Sequence, residues 1–171
     1  MVWAGDYFPK NTFNDHVVSW YSKQLRALNE PSIYKQVSNQ DKEIYRFTWL
    51  RTFHNPISIR VEKNKQGKPI VIVKVADGKG GYDPGKIKIS STVTITTKKY
   101  KQFIRKIGYY YFFWYIAETG KSLGLDGAQW IVEGLSNGKY HIVDRWSPGG
   151  RVRKIGLQFL KLSGLEVKNI Y

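Results

Sequence analysis

The sequence predicts an α+β domain of two layers, a mainly antiparallel sheet of five to seven strands packed against about three helices. Stretches of strict two-fold alternation recur between positions 43 and 146 with links of hairpin length, which favours antiparallel pairing over parallel crossovers. Stretches with a 3.6-residue apolar period lie before, between and after them, which gives the helices. With 171 residues and a hydrophobic fraction of 42%, the chain can bury a core of its own, so residues 1–171 read as a single domain.

The first helix follows a cap at Asn14 or Asp15, with Val17, Val18, Trp20, Tyr21, Leu25 and Leu28 on one side and Pro31 as its stop. From Glu43 to Phe53 the period is two, with Tyr45, Phe47, Trp49 and Phe53 on one face and Arg46, Thr48 and Thr52 on the other. Asn55-Pro56 breaks this strand, and Ile57, Ile59 and Val61 open the next. A turn at Asn64-Lys65-Gln66-Gly67 leads into Ile70–Ala76, whose nearly continuous apolar character reads as a central strand. The glycine-rich loop 78–85 can present successive N–H groups to an anion, with Lys79 beside them. Phosphate loops open a helix, however, whereas here an alternating strand, 86–96, comes next, so a plain hairpin loop is the expectation.

Thr96 or Thr97 caps a second helix with Tyr100, Phe103, Ile104 and Ile107 inward and Gly108 as its stop. The aromatic run 109–116 fits either more helix or a buried strand, and the extended reading is preferred. Ser147-Pro148 reads as N-cap and first residue of a third helix, with Val152, Ile155, Phe159 and Leu162 inward and Gly164 at its end.

The segment 126–146 is the strongest local signal. Asn137-Gly138 lies between two aromatic and β-branched runs, the composition of a tight hairpin. Pairing across it sets Glu133 opposite Ile142 and Ile131 opposite Asp144. Glu133 and Asp144 then become diagonal neighbours on one face, and His141 and Arg145 fall on the other. Two carboxylates so placed suit acid–base hydrolysis, and the catalytic candidates are Glu133, His141, Asp144 and Arg145. The competing reading pairs each carboxylate with a local cation such as Arg145, Arg151 or Arg153. Gly134-Leu135-Ser136-Asn137-Gly138 matches a nucleophile-elbow string, yet it joins strand to strand where that chemistry needs strand to helix.

The formal net charge is +15. Residues 60–110 hold thirteen Lys/Arg against Glu62, Asp77 and Asp83, a local excess of +10. Such a concentration favours an anionic partner such as nucleic acid, a membrane or cell-wall surface, or an acidic protein. The anion-binding candidates are Lys79, Lys98, Lys99, Lys101, Arg105 and Lys106. Tyr45, Phe47 and Trp49 beside Arg46 and Arg51 superficially fit base stacking, but no string of an established nucleic-acid module is present, and core packing accounts for these aromatics more simply. The absence of cysteine excludes disulfides and thiol chemistry. No His or Asp/Glu spacing suggests a metal, and no motif suggests a cofactor. No apolar run reaches the length of a membrane span, and no secretory core precedes Val2-Trp3. A cytosolic protein, or an exported domain whose leader has given way to Met1, are both expected on that ground.

Glu30-Pro31-Ser32, Tyr45-Arg46-Phe47, Gly80-Gly81-Tyr82, Asp126-Gly127 with Trp130 and Glu133, and Tyr140-His141 through Arg145-Trp146-Ser147-Pro148 together resemble small bacterial proteins of unknown function. The resemblance spans about residues 10–165. Such proteins often carry an export or lipoprotein leader, which implies the periplasm or the exported envelope and no particular activity. The combined expectation is a non-enzymatic envelope protein that binds an anionic partner through region 60–110. Nucleic-acid binding and a hydrolase centred on 126–146 are the alternatives.

Overall fold

A computed structural model describes residues 7–110, 112–114 and 126–171. Six antiparallel strands form one sheet: β1 (Lys42–Arg51), β2 (Ile57–Asn64), β3 (Ile70–Ala76), β4 (Ile87–Thr94), β5 (Ala128–Ser136) and β6 (Lys139–Trp146). Their spatial order is β4-β3-β2-β1-β5-β6. Three α-helices, α1 (Asp15–Ala27), α2 (Thr97–Tyr109) and α3 (Gly150–Ser163), complete the α+β architecture that the periodicity predicts.

One face of the sheet presents Tyr45, Phe47, Trp49, Ile59, Val73, Trp130 and Val132 to α2 and α3, which contribute Tyr100, Phe103, Ile107, Ile155 and Phe159. This is the main core and the expected two-layer packing. Gly156 lets α3 approach the sheet closely, since a Cβ there would lie 2.4 Å from the Trp130 ring. α1 packs on the sheet's other face, where Tyr21 and Leu25 meet Leu50, Ile131 and Ile142. Both faces of β1 are therefore covered, and its residues Ile44–Arg51 are buried without interruption.

The caps follow the sequence closely at α1 and α2. Asn14 Oδ1 accepts from Val17 N at 3.0 Å, and Thr96 Oγ1 from Lys99 N at 3.2 Å. Asn29, with φ +50, turns the chain out of α1 before Pro31 is reached. The α3 N-terminus differs from expectation. Its cap is Gly149, without a side-chain bond, while the Ser147 hydroxyl accepts from Ala128 N at 3.0 Å and closes the mouth of the β5–β6 hairpin.

Three further expectations are corrected. β3 lies second from the edge, not centrally, and Ile70 and Ile72 are only half-buried. Phe53 falls beyond the end of β1, where it is 48% exposed and its ring lies 6.1 Å from that of Tyr82. Within the aromatic run 109–116, Phe112–Trp114 form a 3-10 turn instead of a strand, and positions 111, 115 and 116 lie outside the described residues. The edge strand β4 is exposed along all eight residues.

Candidate functional site

The hairpin register matches the sequence reading pair for pair: Glu133 faces Ile142, and Ile131 faces Asp144. Asn137 and Gly138 adopt φ +51 and +69, the doubly left-handed turn that two-residue hairpins require. No bulge interrupts this ladder, so Glu133 and Asp144 share the α1 face of the sheet, and His141 and Arg145 the other.

Glu133 is fully buried and belongs to a network that hairpin pairing alone does not reveal. Its cross-strand neighbour on β1 is Arg46, whose Nε and Nη2 donate to Oε2 at 2.7 and 2.5 Å. The Tyr140 hydroxyl donates to Oε1 at 2.9 Å. Arg46 reaches on to Pro31 O at 2.7 Å and to Glu30 Oε2 at 3.4 Å. Glu30, delivered by the turn after α1, also accepts from Arg60 Nε at 2.8 Å. Lys74 Nζ lies 3.1 Å from Glu30 Oε1 and donates to Asn29 O at 2.5 Å. Arg60 is further paired with Glu62.

Arg46, Arg60 and Lys74 thus stand against Glu30, Glu62 and Glu133, three cations to three carboxylates. Buried charge is costly unless paired, and the balance supplies that pairing, with Glu30 Oε1 held by the Lys74 ion pair alone. Burial would lower the basicity of Arg46, but Glu133 and then Glu30 outweigh it and hold the guanidinium in its charged form. Arg60 is shifted down by burial, opposed by Glu30. Burial and the neighbouring Glu133 push the Tyr140 hydroxyl well above its ordinary range, which keeps it a neutral donor.

Asp144 is buried as well and accepts from Tyr21 OH at 2.7 Å. His141 packs its ring edge-on against Phe112 at 5.0 Å, and Arg145 Nη1 donates to the Asp144 carbonyl. The four catalytic candidates are therefore split between two faces. Both carboxylates are withdrawn from solvent, and Glu133 is paired with Arg46 of β1 instead of Arg145, Arg151 or Arg153. Ser136 ends β5 and leads into the hairpin turn, not into a helix. Among the described residues, no group of three or more His, Cys, Asp or Glu could hold a metal.

The anion-binding candidates divide differently. The N–H groups of Gly78, Lys79, Gly80, Gly81 and Tyr82 all donate to carbonyls, so the glycine loop has no nest to offer. Its Gly80 carbonyl is bound by Trp20 and Gln24 of α1, which places Lys79 with the α1 side of the molecule. The other five candidates lie together on α2. Lys98, Lys101 and Arg105 line one shallow depression with Thr97 and Gln102. Lys99 and Lys106 turn toward α3, where with Lys161 they flank a groove of about 260 Å³.

α3 adds Arg151, Arg153, Lys154 and Lys161, so α2 and α3 together carry nine cations and no carboxylate. No acidic residue occupies the first turn of either helix, and Lys98 and Lys99 sit in that of α2. Cations there oppose the helix dipole, at a cost of roughly 0.3–1 kcal/mol each. Among the described residues, none of the five α2 cations forms an ion pair with a carboxylate.

Tyr45, Phe47 and Trp49, the aromatics suited to base stacking, are buried in the core and unavailable to a ligand. No helix among the described residues is long and apolar enough to cross a membrane. No protein-family model and no curated protein matches this chain.

Proposed function

We propose that this is a non-enzymatic binding protein of the bacterial envelope that engages an anionic partner through the cationic face of α2, within the basic 60–110 region. The observation that carries the reading is the acid-free pair α2 and α3, with lysines placed in the first turn of α2 against the dipole. A surface serving solubility alone mixes both signs of charge. An approaching anion would instead meet cations, a favourable helix terminus and no repelling carboxylate on either helix. The envelope setting rests on the sequence resemblance. The burial and pairing of Glu133 and Asp144 support binding over hydrolysis.

The test is the affinity of the protein for anionic lipid, cell-wall polymer and nucleic acid, compared with a variant in which Lys98, Lys99, Lys101 and Lys106 become Ala. The expected result is a fall of at least tenfold for the preferred polyanion. Weak binding to all three, unchanged in the variant, would overturn the proposal. Selective nucleic-acid binding that weakens steeply between about 50 and 200 mM salt would identify the partner as nucleic acid.

A further inference from the structure

The outward face of α2 continues beyond its cations. Lys98, Lys101, Gln102 and Arg105 share one side of the helix, and Tyr109 follows Arg105 at the four-residue spacing that keeps it on that side. The opposite side, Tyr100, Phe103 and Ile107, is buried in the core. Tyr109 is 75% exposed, and in the turn just after α2 Trp114 is 84% and Phe113 45% exposed. Phe112, fully buried between them and stacked edge-on against His141, pins that turn to the sheet. Phe113 is held 5.8 Å from the His141 ring and 6.4 Å from that of Tyr45. The fold therefore leaves three large aromatic side chains at the surface, one in the last turn of α2 and two in the turn just after it.

We propose that the anionic partner is a lipid surface, on which α2 lies with its cations at the headgroups and Tyr109, Phe113 and Trp114 in the interface. This rests on the reading of α2 as an anion-binding face. Tyrosine and tryptophan have an apolar ring and a polar edge, and both concentrate where hydrocarbon meets water. A base-stacking surface would interleave its aromatics with the cations, whereas here they cluster past the C-terminal end of the cationic row. The groove between α2 and α3 adds a site for one headgroup, with Lys99, Lys106 and Lys161 around an apolar floor of Phe103 and Leu162. α2 has thirteen residues and is about 20 Å long, which suits docking in the plane of the surface.

The experiment uses the full chain with vesicles of phosphatidylcholine alone, vesicles containing phosphatidylglycerol, polyphosphate as a lipid-free polyanion, and a single-stranded oligonucleotide. Binding is followed by co-sedimentation, and insertion by tryptophan emission. Of the two vesicle types the protein is expected to bind only the one containing phosphatidylglycerol, with a blue-shifted emission, and it is expected to bind polyphosphate without that shift. Trp114→Ala should remove most of that shift and weaken vesicle binding about tenfold, leaving polyphosphate affinity unchanged. The Lys98, Lys99, Lys101 and Lys106 to Ala variant should lose both activities, by about fivefold per cation at the membrane. Polyphosphate binding without vesicle binding, or vesicle binding indifferent to Trp114→Ala, would overturn the lipid assignment and leave the anion-binding face standing. Binding to neither would overturn both. Selective, Trp114-dependent binding to single-stranded nucleic acid would replace lipid with nucleic acid.

Discussion

Beneath α1 the sheet holds three cations and three carboxylates in mutual contact, while the α2–α3 layer on the other face carries nine cations and no carboxylate. Desolvation separates the two cases. Where Arg46 and Glu133 lose all exposure, an unmatched charge would cost several kcal/mol, so the partners are matched one for one. The exposed lysines of α2 meet no such constraint from folding, and those in its first turn work against the helix. Charge on the first face is matched within the fold; among the described residues the five cations of α2 have no carboxylate partner, whereas Arg153 of α3 donates to Ile170 O.

Breaking the buried side of this comparison should have the largest effect. Arg46→Leu leaves Glu133 with Tyr140 as its remaining partner in the network, and a loss of about 3–5 kcal/mol is expected in denaturant unfolding. The double change Arg46→Leu with Glu133→Leu removes the stranded carboxylate and should recover part of that loss, which a double-mutant cycle would register. Next in size is Tyr140→Phe, which deletes one hydrogen bond to a buried carboxylate and should cost about 1.5–3 kcal/mol.

A gradual effect follows from pH. Burial pushes Tyr45 up to about 12 from its ordinary 10.0, with Glu43 adding to the rise and a hydrogen bond from Ser136 opposing it; Tyr140 is raised by burial and Glu133. Because the folded values lie above the unfolded one, the stability these groups contribute is complete below pH 10. It is lost as pH rises from there through the folded values. Unfolding free energy should fall by about 1.4 kcal/mol per pH unit for each such tyrosine between pH 10 and about 12. The share of tyrosinate absorbance that belongs to the buried tyrosines should appear together with the loss of tertiary signal, and Tyr140→Phe should flatten the decline.

The local parts of this architecture were legible in the residues. Asn137-Gly138 fixed the hairpin register, Asn14 and Thr96 marked two helix starts, and the 3.6 period separated the buried Tyr100 and Phe103 from the lysines of α2. The buried network was not legible, because its bonds join residues far apart in sequence. Arg46 and Glu133 are 87 positions apart, and alternation along β1 correctly set Arg46 opposite Tyr45 without showing that α1 and the turn at Glu30 cover that face too. A signal was nonetheless present. Ile44, Arg46, Thr48 and Leu50 form a mixed face with apolar ends, more apolar than a solvated strand face needs. The Phe112–Trp114 turn was misread because a short aromatic run has no period that separates strand from helix.

The division between structural and functional charge is tested most directly by the unfolding free energy of the variant in which Lys98, Lys99, Lys101 and Lys106 become Ala. Alanine is the best helix former, and the change removes two first-turn cations that oppose the dipole against one last-turn cation, Lys106, that favours it. The stability should be unchanged or higher by about 0.3–1 kcal/mol at low salt. A loss of about 2 kcal/mol or more would show that these lysines hold the fold together, and would contradict the account.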